Sequence, residues 1–375
     1  MSEDVATQKP KTAAAAPGPP LATRAMQNDA HDLELFRACF AKNSDRPRSK
    51  EALTWQYFRN TTPHLFVDVA VAPGGDRLAA IYASLPGFMR IDGQRRLVLQ
   101  SLDTLTDADF RGQGLFISLA KKTFARAAAE GAALIYGFPN GNSAPGFFKK
   151  LGWLPLDPMP FLLRPLRLSY GAERLKLPKA LRPLVPKMPL VAPFGRRRRA
   201  GVRELTGTDP RLTTLWERFS KGIGVAVDRD AAYLQWRLFD RPGGDYRTLV
   251  LEEGGTDSQI RAMCSFTVKD KHGGRIGYVM ETMHDRTLGG IRAASHLLGL
   301  AIRDMSDQGA DSVLAWSMQH SPSFPLYARH AFFPLPERFR PIELHVGVRA
   351  FDESVAPIVN RRESWYISYL DSDTV

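Results

Sequence analysis

The feature that most constrains the fold is a weak internal repeat with a spacing of about 180 residues. Trp55-Gln-Tyr-Phe58, followed by Pro63, recurs as Trp236-Arg-Leu-Phe239, followed by Pro242. Further pairs keep the same order with only small insertions between them: Asp103 with Glu281, Gly131 with Gly309, Asn142 with His320, and Phe148 with Tyr327. Chance would not hold so many pairs in one order, so we predict two copies of one domain.

Each copy is patterned as two helices, three or four strands, a helix, a strand, a short helix and a strand. The first copy has helical patterns over 32–41, 50–59, 115–130 and 145–151, and strand patterns over 65–71, 77–84, 88–91, 96–105 and 132–137. Turn signals at 91–94 and 271–274 indicate hairpins. We therefore predict an α/β (α+β) fold with two domains, each a mixed sheet flanked by helices.

A basic, proline-rich segment separates the two copies. We predict a disordered tail at 1–30, a first domain at 31–163, a linker at 164–200 and a second domain at 201–375. Residues 164–199 hold eleven cations and one acid, so they carry +10 of the net charge of +12. A solvated linker and an anionic membrane surface are the leading interpretations, and nucleic acid is the least favoured.

A glycine-rich loop follows a strand and opens a helix. It reads Phe110-Arg-Gly-Gln-Gly-Leu-Phe116. Two glycines let the backbone approach a ligand, the first amides of a helix lack internal acceptors, and an arginine adds a permanent cation. The loop therefore predicts a cradle for a diphosphate cofactor, with a simple bend as the alternative. The loop is neither a P-loop nor a dinucleotide fingerprint, because the residues that continue each of these motifs do not follow it in the sequence.

Membrane spans and metals are not predicted. The sequence has no run of about 18 uninterrupted apolar residues. Its two cysteines, Cys39 and Cys264, are far apart, and neither they nor the histidines have metal-ligand spacing. Buried free thiols in a reducing compartment are the expected explanation, so we predict a cytoplasmic protein, in contact with the inner membrane face if the basic segment binds lipid.

At the loop the sequence resembles the GNAT acyltransferases, the acetyl-coenzyme A-dependent N-acetyltransferase superfamily. Their signature is Gln or Arg, two residues, Gly, one residue, then Gly or Ala. The loop fits at Arg111 and at the first key glycine, and departs at Phe116, whose ring is expected to narrow the cradle or reshape the helix start. Asn142 and the ending Gly152-Trp153 resemble a second motif. The resemblance extends over most of the first copy. It applies to the second copy only because that copy repeats the first.

The resemblance implies two mostly antiparallel GNAT-like sheets and acetyl-coenzyme A as co-substrate, with no metal. The expected cofactor contacts are Thr104, Leu105 and Thr106 for the pantetheine, Arg111, Gly112, Gln113, Gly114, Leu115 and Phe116 for the pyrophosphate, and Asn142 at the thioester end. Asp103 is the predicted base, with a structural carboxylate as the alternative. Phe148 occupies the position where the family often has a tyrosine that acts as a general acid, and phenylalanine cannot donate a proton. A thiolate leaving group needs less of this help than an alkoxide does.

The second copy inverts this pattern. Glu281 and Tyr327 occupy the base and tyrosine places, but Leu288-Gly-Gly-Ile-Arg292 has no arginine before its glycines. We therefore expect no coenzyme A there. Glu281 and Tyr327 are weak candidates for an acceptor pocket, with ordinary core residues as the alternative.

The predicted function is N-acetyl transfer from acetyl-coenzyme A to the amine of a small polar acceptor. An amino sugar or polysaccharide precursor is the expected acceptor, because tandem proteins that end like Trp365–Asp373 resemble members tied to envelope glycan synthesis. Two alternatives remain: a tRNA-dependent aminoacyl transferase of the peptidoglycan-bridge type, and a non-catalytic tandem binding module.

Overall fold

The computed structural model describes residues 21–44, 47–167, 199–255, 258–340 and 342–374. Its strands are β1 (Ala22–Ala25), β2 (Phe66–Val71), β3 (Leu78–Ile91), β4 (Gln94–Thr106), β5 (Leu134–Gly137), β6 (Leu154–Pro155), β7 (Phe161–Pro165), β8 (Val202–Leu205), β9 (Val225–Val227), β10 (Arg247–Glu253), β11 (Gln259–Lys271), β12 (Gly274–His284), β13 (Ser312–Trp316), β14 (Phe333–Pro334) and β15 (Gly347–Ala350).

The helices lie between these strands. They are α1 (Ala30–Asn43), α2 (Lys50–Leu53), α3 (Leu115–Ala129), α4 (Ala144–Lys150), α5 (Arg211–Phe219), α6 (Ala231–Leu234), α7 (Leu288–Asp307), α8 (Phe324–Arg329) and α9 (Ala356–Val359). In the part of the chain that is described, no helix combines the length and apolarity needed to cross a membrane.

Two mixed, mostly antiparallel sheets flanked by helices form the fold, which confirms the predicted class. The first runs β1-β2-β3-β4-β5-β15-β6, with β9 added to β3, and the second runs β14-β7-β13-β12-β11-β10-β8. Only β4–β5 and β12–β13 pair in parallel among the described strands. The hairpin turns are as predicted, since Asp92 and Gly93 have φ of 50° and 76° and His272 and Gly273 have φ of 55° and 71°.

Helices cover both faces of the first sheet. The apolar face of α3 buries Leu119 and Phe124 in one core, and α1 buries Phe36 in another on the opposite side. In the second sheet, α7 packs its buried stripe over the core that includes Phe266. A further core joins residues of both halves, among them Val98 and Trp216. The two sheets are therefore one packed body.

The domain boundaries predicted at 31–163 and 201–375 are wrong for two strands. β7 pairs with β13 of the second sheet, with Phe161 opposite Trp316. In return β15 pairs with β5 of the first sheet, with Gly347 opposite Gly137. Each exchanged strand follows a two-residue strand of its own half's sheet, and that short strand pairs with the strand received from the other half. Alternating apolar residues indicate that a strand exists, but not which sheet it joins.

The predicted disordered tail at 1–30 is also wrong at its end. Residues 22–25 form β1, which pairs with β2 along the edge of the first sheet. Asp29 then caps α1 by accepting a hydrogen bond from the amide of Asp32. Most of the predicted linker, 168–198, lies outside the described residues, as does 1–20.

The repeated tryptophan motifs meet each other. Both lie in π-helical segments, Thr54–Phe58 and Gln235–Phe239. The rings of Trp55 and Trp236 stack with centroids 4.6 Å apart, and each indole N–H donates to the other tryptophan's carbonyl at 2.8 and 3.1 Å. The motifs thus occupy corresponding places, one in each half, although a duplication of the whole domain stays a prediction.

Candidate functional site

A cavity opens where β4 and β5 part. The two strands pair in parallel only from Leu99 opposite Ile135 to Ser101 opposite Gly137, after which β4 continues to Thr106 paired with β3 but not with β5. A cavity of about 440 Å³ lies beyond that point. Ligands of such sheets collect where neighbouring strands separate past their carboxyl ends, so this is the first candidate for a binding site.

A β-bulge directs the β4 backbone toward this cavity. The pairing of β3 with β4 shifts register between Ile81 and Ala83, which leaves Asp103 and Thr104 opposite Tyr82. Asp103 has a φ of 48°, in the left-handed region that few side chains adopt. Of the positions predicted for the cofactor arm, Thr104 and Leu105 line the cavity and Thr106 does not. Asp103, the predicted base, also lines it.

The glycine loop presents unpaired amides at the start of α3. Gly112 and Gly114 have φ of 83° and 72°, and Gly114 caps the helix without a side-chain acceptor. Among the described residues, no carbonyl or side chain accepts a hydrogen bond from the amides of residues 112–116. These groups and the helix dipole favour an anion. The geometry therefore suits the predicted pyrophosphate cradle.

An ion-pair network fixes the turn that leads into this loop. Asp107 caps the 3-10 helix Ala108–Phe110, and the Lys42 ammonium of α1 lies 3.0 Å from Asp107 and 2.7 Å from Asp109. Arg77 lies 3.0 Å from Asp109. Arg111 itself is exposed, so its guanidinium can reach a ligand at the loop.

The Phe116 ring does not narrow the cradle. It packs beneath α3 against Tyr82 and Phe147, with centroids 5.8 and 5.2 Å apart. A Cβ added to Gly146 of α4 would lie 2.8 Å from this ring. Gly146 therefore makes room for the ring that replaces the small residue of the family signature.

Asp103 is held by three donors from one neighbouring segment. Its carboxylate accepts hydrogen bonds from Arg48 at 3.1 Å, from Gln56 at 2.9 Å and from the Tyr57 hydroxyl at 2.9 Å. Burial raises the pKa of the Asp103 carboxyl, while the charge of Arg48 opposes this shift. A raised pKa suits a general base. The contacts also suit the structural role that the sequence left open.

Asn142, the residue predicted at the thioester end, lies outside the cavity. Asn142 is exposed and is absent from the cavity lining, whereas Asn140 and Ser143 line it. The Asn140 side chain accepts hydrogen bonds from the amides of Asn142 and Ser143, both at 3.1 Å. The loop of the motif therefore reaches the cavity through Asn140 and Ser143 instead of Asn142.

The second half completes the cavity wall, which sequence reasoning missed. The wall residues from that half are Ile342, Glu343, Leu344, Asp373 and Thr374. The His345 amide donates to the carbonyl of Pro139 at 2.9 Å, which places this segment beside β5. The Phe148 ring packs against His345 outside the cavity lining. Local sequence carries no signal for contacts between residues about 200 positions apart.

Asp373 differs from Asp103 in its surroundings. It is exposed, and within the described ranges its carboxylate has neither a hydrogen bond nor an ion pair. Among the described residues, those that line the cavity and carry a charge are Asp103, Glu343 and Asp373, and all three are acids. An acidic wall attracts a cationic ligand such as an ammonium group.

The corresponding helix start in the second half is already occupied by side chains. Thr287 caps α7 by accepting a hydrogen bond from the Gly290 amide at 3.1 Å. The Asp285 carboxylate accepts from the Thr287 amide at 3.2 Å, so a negative charge lies beside the helix. The Thr287 hydroxyl therefore satisfies one amide of this helix start, and Asp285 is itself paired with Arg261 at 2.8 Å. That this half binds no coenzyme A stays a prediction.

Glu281 and Tyr327 are core residues, so their prediction as pocket residues is wrong. Glu281 is fully buried and pairs with Arg229, which also holds Asp371 at 2.8 Å. Tyr366 and Ser368 donate further hydrogen bonds to Glu281. Tyr327 is 2% exposed and donates to Thr282, and burial raises the pKa of its hydroxyl. Neither residue lines the cavity.

No group of three or more His, Cys, Asp or Glu residues suited to a metal ion occurs in the described ranges. Cys39 and Cys264 are free and buried, and burial raises the pKa of each thiol to about 12. Thiols with such pKa values are poor nucleophiles at neutral pH.

Comparison with known families places the glycine loop in a recognised domain. Residues 24–156 match the family model described as an acetyltransferase (GNAT) domain. The matched span includes the bulge, the cradle and the Asn140 turn. No sequence among the curated proteins matches the chain significantly.

Solved structures with the same fold include N-myristoyltransferase from Saccharomyces cerevisiae. One, with bound myristoyl-CoA, has a TM-score of 0.59 at 14% identity and covers 91% of this chain and 86% of that chain. A second, also with bound myristoyl-CoA, has a TM-score of 0.58 at 14% identity and covers 91% and 82%. At this identity the likeness defines the fold, which extends over both halves of the chain.

We predict that Glu281→Gln acts on stability. Removing one carboxylate from the buried Arg229 cluster should lower the free energy of unfolding by about 3 kcal/mol, because it leaves part of a buried charge uncompensated. Urea denaturation measures this change. A variant with unchanged unfolding and a large loss of activity would contradict the structural role.

Proposed function

We propose that the chain transfers an acetyl group from acetyl-coenzyme A to an amine. The observation that carries this proposal is the continuity of one site: free amides at the start of α3, a bulged β4 backbone, and a cavity between parting strands. The phosphate groups of the co-substrate fit the free amides, and its extended, amide-bearing arm fits the bulged strand. Its thioester fits the cavity between the parting strands. The GNAT match over 24–156 supports the same co-substrate.

The acidic cavity wall supports an amine as the acceptor. Asp103, Glu343 and Asp373 supply its charges, and a cationic ammonium ion is drawn to such a wall. The acceptor ammonium then loses a proton to a base and its neutral nitrogen attacks the thioester carbonyl carbon. The new C–N bond of the amide forms as the C–S bond breaks, and coenzyme A leaves as its thiolate. We retain the small polar acceptor expected from the sequence, with an amino sugar as the leading case.

Asp103 is the proposed base. Its pKa is raised by burial, and Arg48, Gln56 and Tyr57 fix its position. A chain of water molecules can connect a buried base with the amine, so direct contact is not required. Asp373, which has no hydrogen-bond or ion-pair partner in the described parts of the chain, is the second carboxylate able to take the proton.

The cradle can be tested with a matched pair of arginines. Arg111→Ala should raise the apparent KM for acetyl-coenzyme A about tenfold to a hundredfold, since a charge-assisted hydrogen bond is worth about 1.5–3 kcal/mol. Arg292→Ala removes an exposed arginine near the start of α7 and should leave KM unchanged. Equal effects of the two substitutions in steady-state kinetics would contradict the assignment.

The base can be tested with two isosteric changes. Asp103→Asn should lower kcat about a hundredfold with little change in the KM for acetyl-coenzyme A, because general-base catalysis contributes about 10²–10⁴-fold. Thermal unfolding of the variant measures the structural contribution of the same carboxylate. A larger loss of kcat in Asp373→Asn than in Asp103→Asn would transfer the role to Asp373.

A further inference from the structure

A second, narrower cavity adjoins the cofactor cavity. It lies where β3 has no strand partner on one side, because β2 pairs with β3 only as far as Ser84 and β9 begins only at Met89. The segment Leu85–Phe88 lines this gap. The two π-helical segments lie over it, with Trp55 and Trp236 among the lining residues. The cavity measures about 50 Å³.

The two cavities share part of their walls. Gln100, Leu102 and Asp373 line both. Gln100 is fixed by a hydrogen bond of 2.6 Å from its amide nitrogen to the carbonyl of Asp371. The two cavities therefore adjoin along Gln100 and Leu102.

The lining of the narrow cavity favours a neutral, apolar group. Aliphatic side chains on its wall include Leu85, Val98, Leu102, Val227 and Leu370. Burying an apolar group against such a wall is favourable in proportion to the area removed from water.

The charges at this cavity disfavour an ammonium ion. Asp371 is paired with Arg229, and Asp373 also belongs to the cofactor cavity. Arg237 and Arg241 line the narrow cavity together with Asp371, and none of the three lines the cofactor cavity. Burial lowers the pKa of Arg241 to about 10, which leaves it protonated at neutral pH. The acceptor amine therefore suits the acidic cofactor cavity, and the narrow cavity suits the acyl group.

On the basis of the proposed function, we propose that the narrow cavity is an acyl pocket that admits chains slightly longer than acetyl and excludes long ones. Since about 10–15 Å³ is needed for each group of water size, a volume of about 50 Å³ holds roughly three to five such groups. Propanoyl and butanoyl groups fit this limit, and an octanoyl group exceeds it. Acetyl-coenzyme A is then a substrate that leaves the pocket partly unfilled.

Gly87 is the residue that sets this limit. It lies in the middle of β3 and lines the narrow cavity, and a Cβ added there would meet no atom within 4 Å. A glycine inside a strand often marks a place where another group approaches closely. A larger side chain at this position would enter the pocket without displacing its neighbours.

The test is calorimetric titration of the full chain with coenzyme A and its acetyl, propanoyl, butanoyl and octanoyl thioesters. From the acetyl to the butanoyl thioester, Kd should fall about fourfold for each added methylene. The octanoyl thioester should bind without this increase in affinity. Gly87→Leu should abolish the gain for butanoyl-coenzyme A and leave coenzyme A itself unchanged. Gly255→Leu is the matched control, because Gly255 is exposed and also has open space at its Cβ.

Three outcomes would overturn the acyl pocket while the proposed function stands: equal Kd values along the series, affinity that keeps rising to octanoyl, or a Gly87→Leu variant that matches the wild type. Failure of every thioester and of coenzyme A to bind would overturn the proposed function as well. Thiol release in the presence of glucosamine as acceptor gives a second readout, in which kcat/KM for the acyl donor should follow the same order.

Discussion

The exchange of strands between the two halves is the constraint on which the site depends. β15 of the second half occupies the side of β5 that faces away from β4, and the segment before it runs along the cavity. β7 is inserted in the second sheet in the same way. Because β5 pairs with β4 over three residues only, the gap beyond Gly137 needs another wall. Residues 342–344 and 373–374 provide it, so neither half contains the complete site.

The two halves use the same local structure for different purposes. At the start of α3, glycines leave amides unpaired, whereas at the start of α7 the Thr287 hydroxyl and the Asp285 carboxylate occupy the corresponding place. At the place that corresponds to Asp103, the second half has Glu281, which holds Arg229 and through it Asp371. The second half therefore anchors the segment that carries Asp373 to the cavity.

Sequence predicted the features that depend on local pattern. The hairpins, the long helices and the glycine loop follow from period, turn residues and unsatisfied helix amides, and the structure has them at nearly the expected positions. Sequence-based prediction failed for features that depend on pairing between residues far apart in the chain. Neither 161–165 nor 347–350 is among the predicted strands, a local pattern does not give a strand's partner, and no signal near Asp103 points to Asp373. Asn142 was chosen by motif, and only the turn geometry shows that Asn140 lines the cavity.

The most direct test is a crystal structure of the full chain with acetyl-coenzyme A. We predict the pyrophosphate on the amides of residues 112–116, the pantetheine along Asp103–Leu105, and the thioester near Gln100 and Leu102. Electron density for the cofactor at the start of α7, or across a surface away from the gap between β4 and β5, would contradict the account.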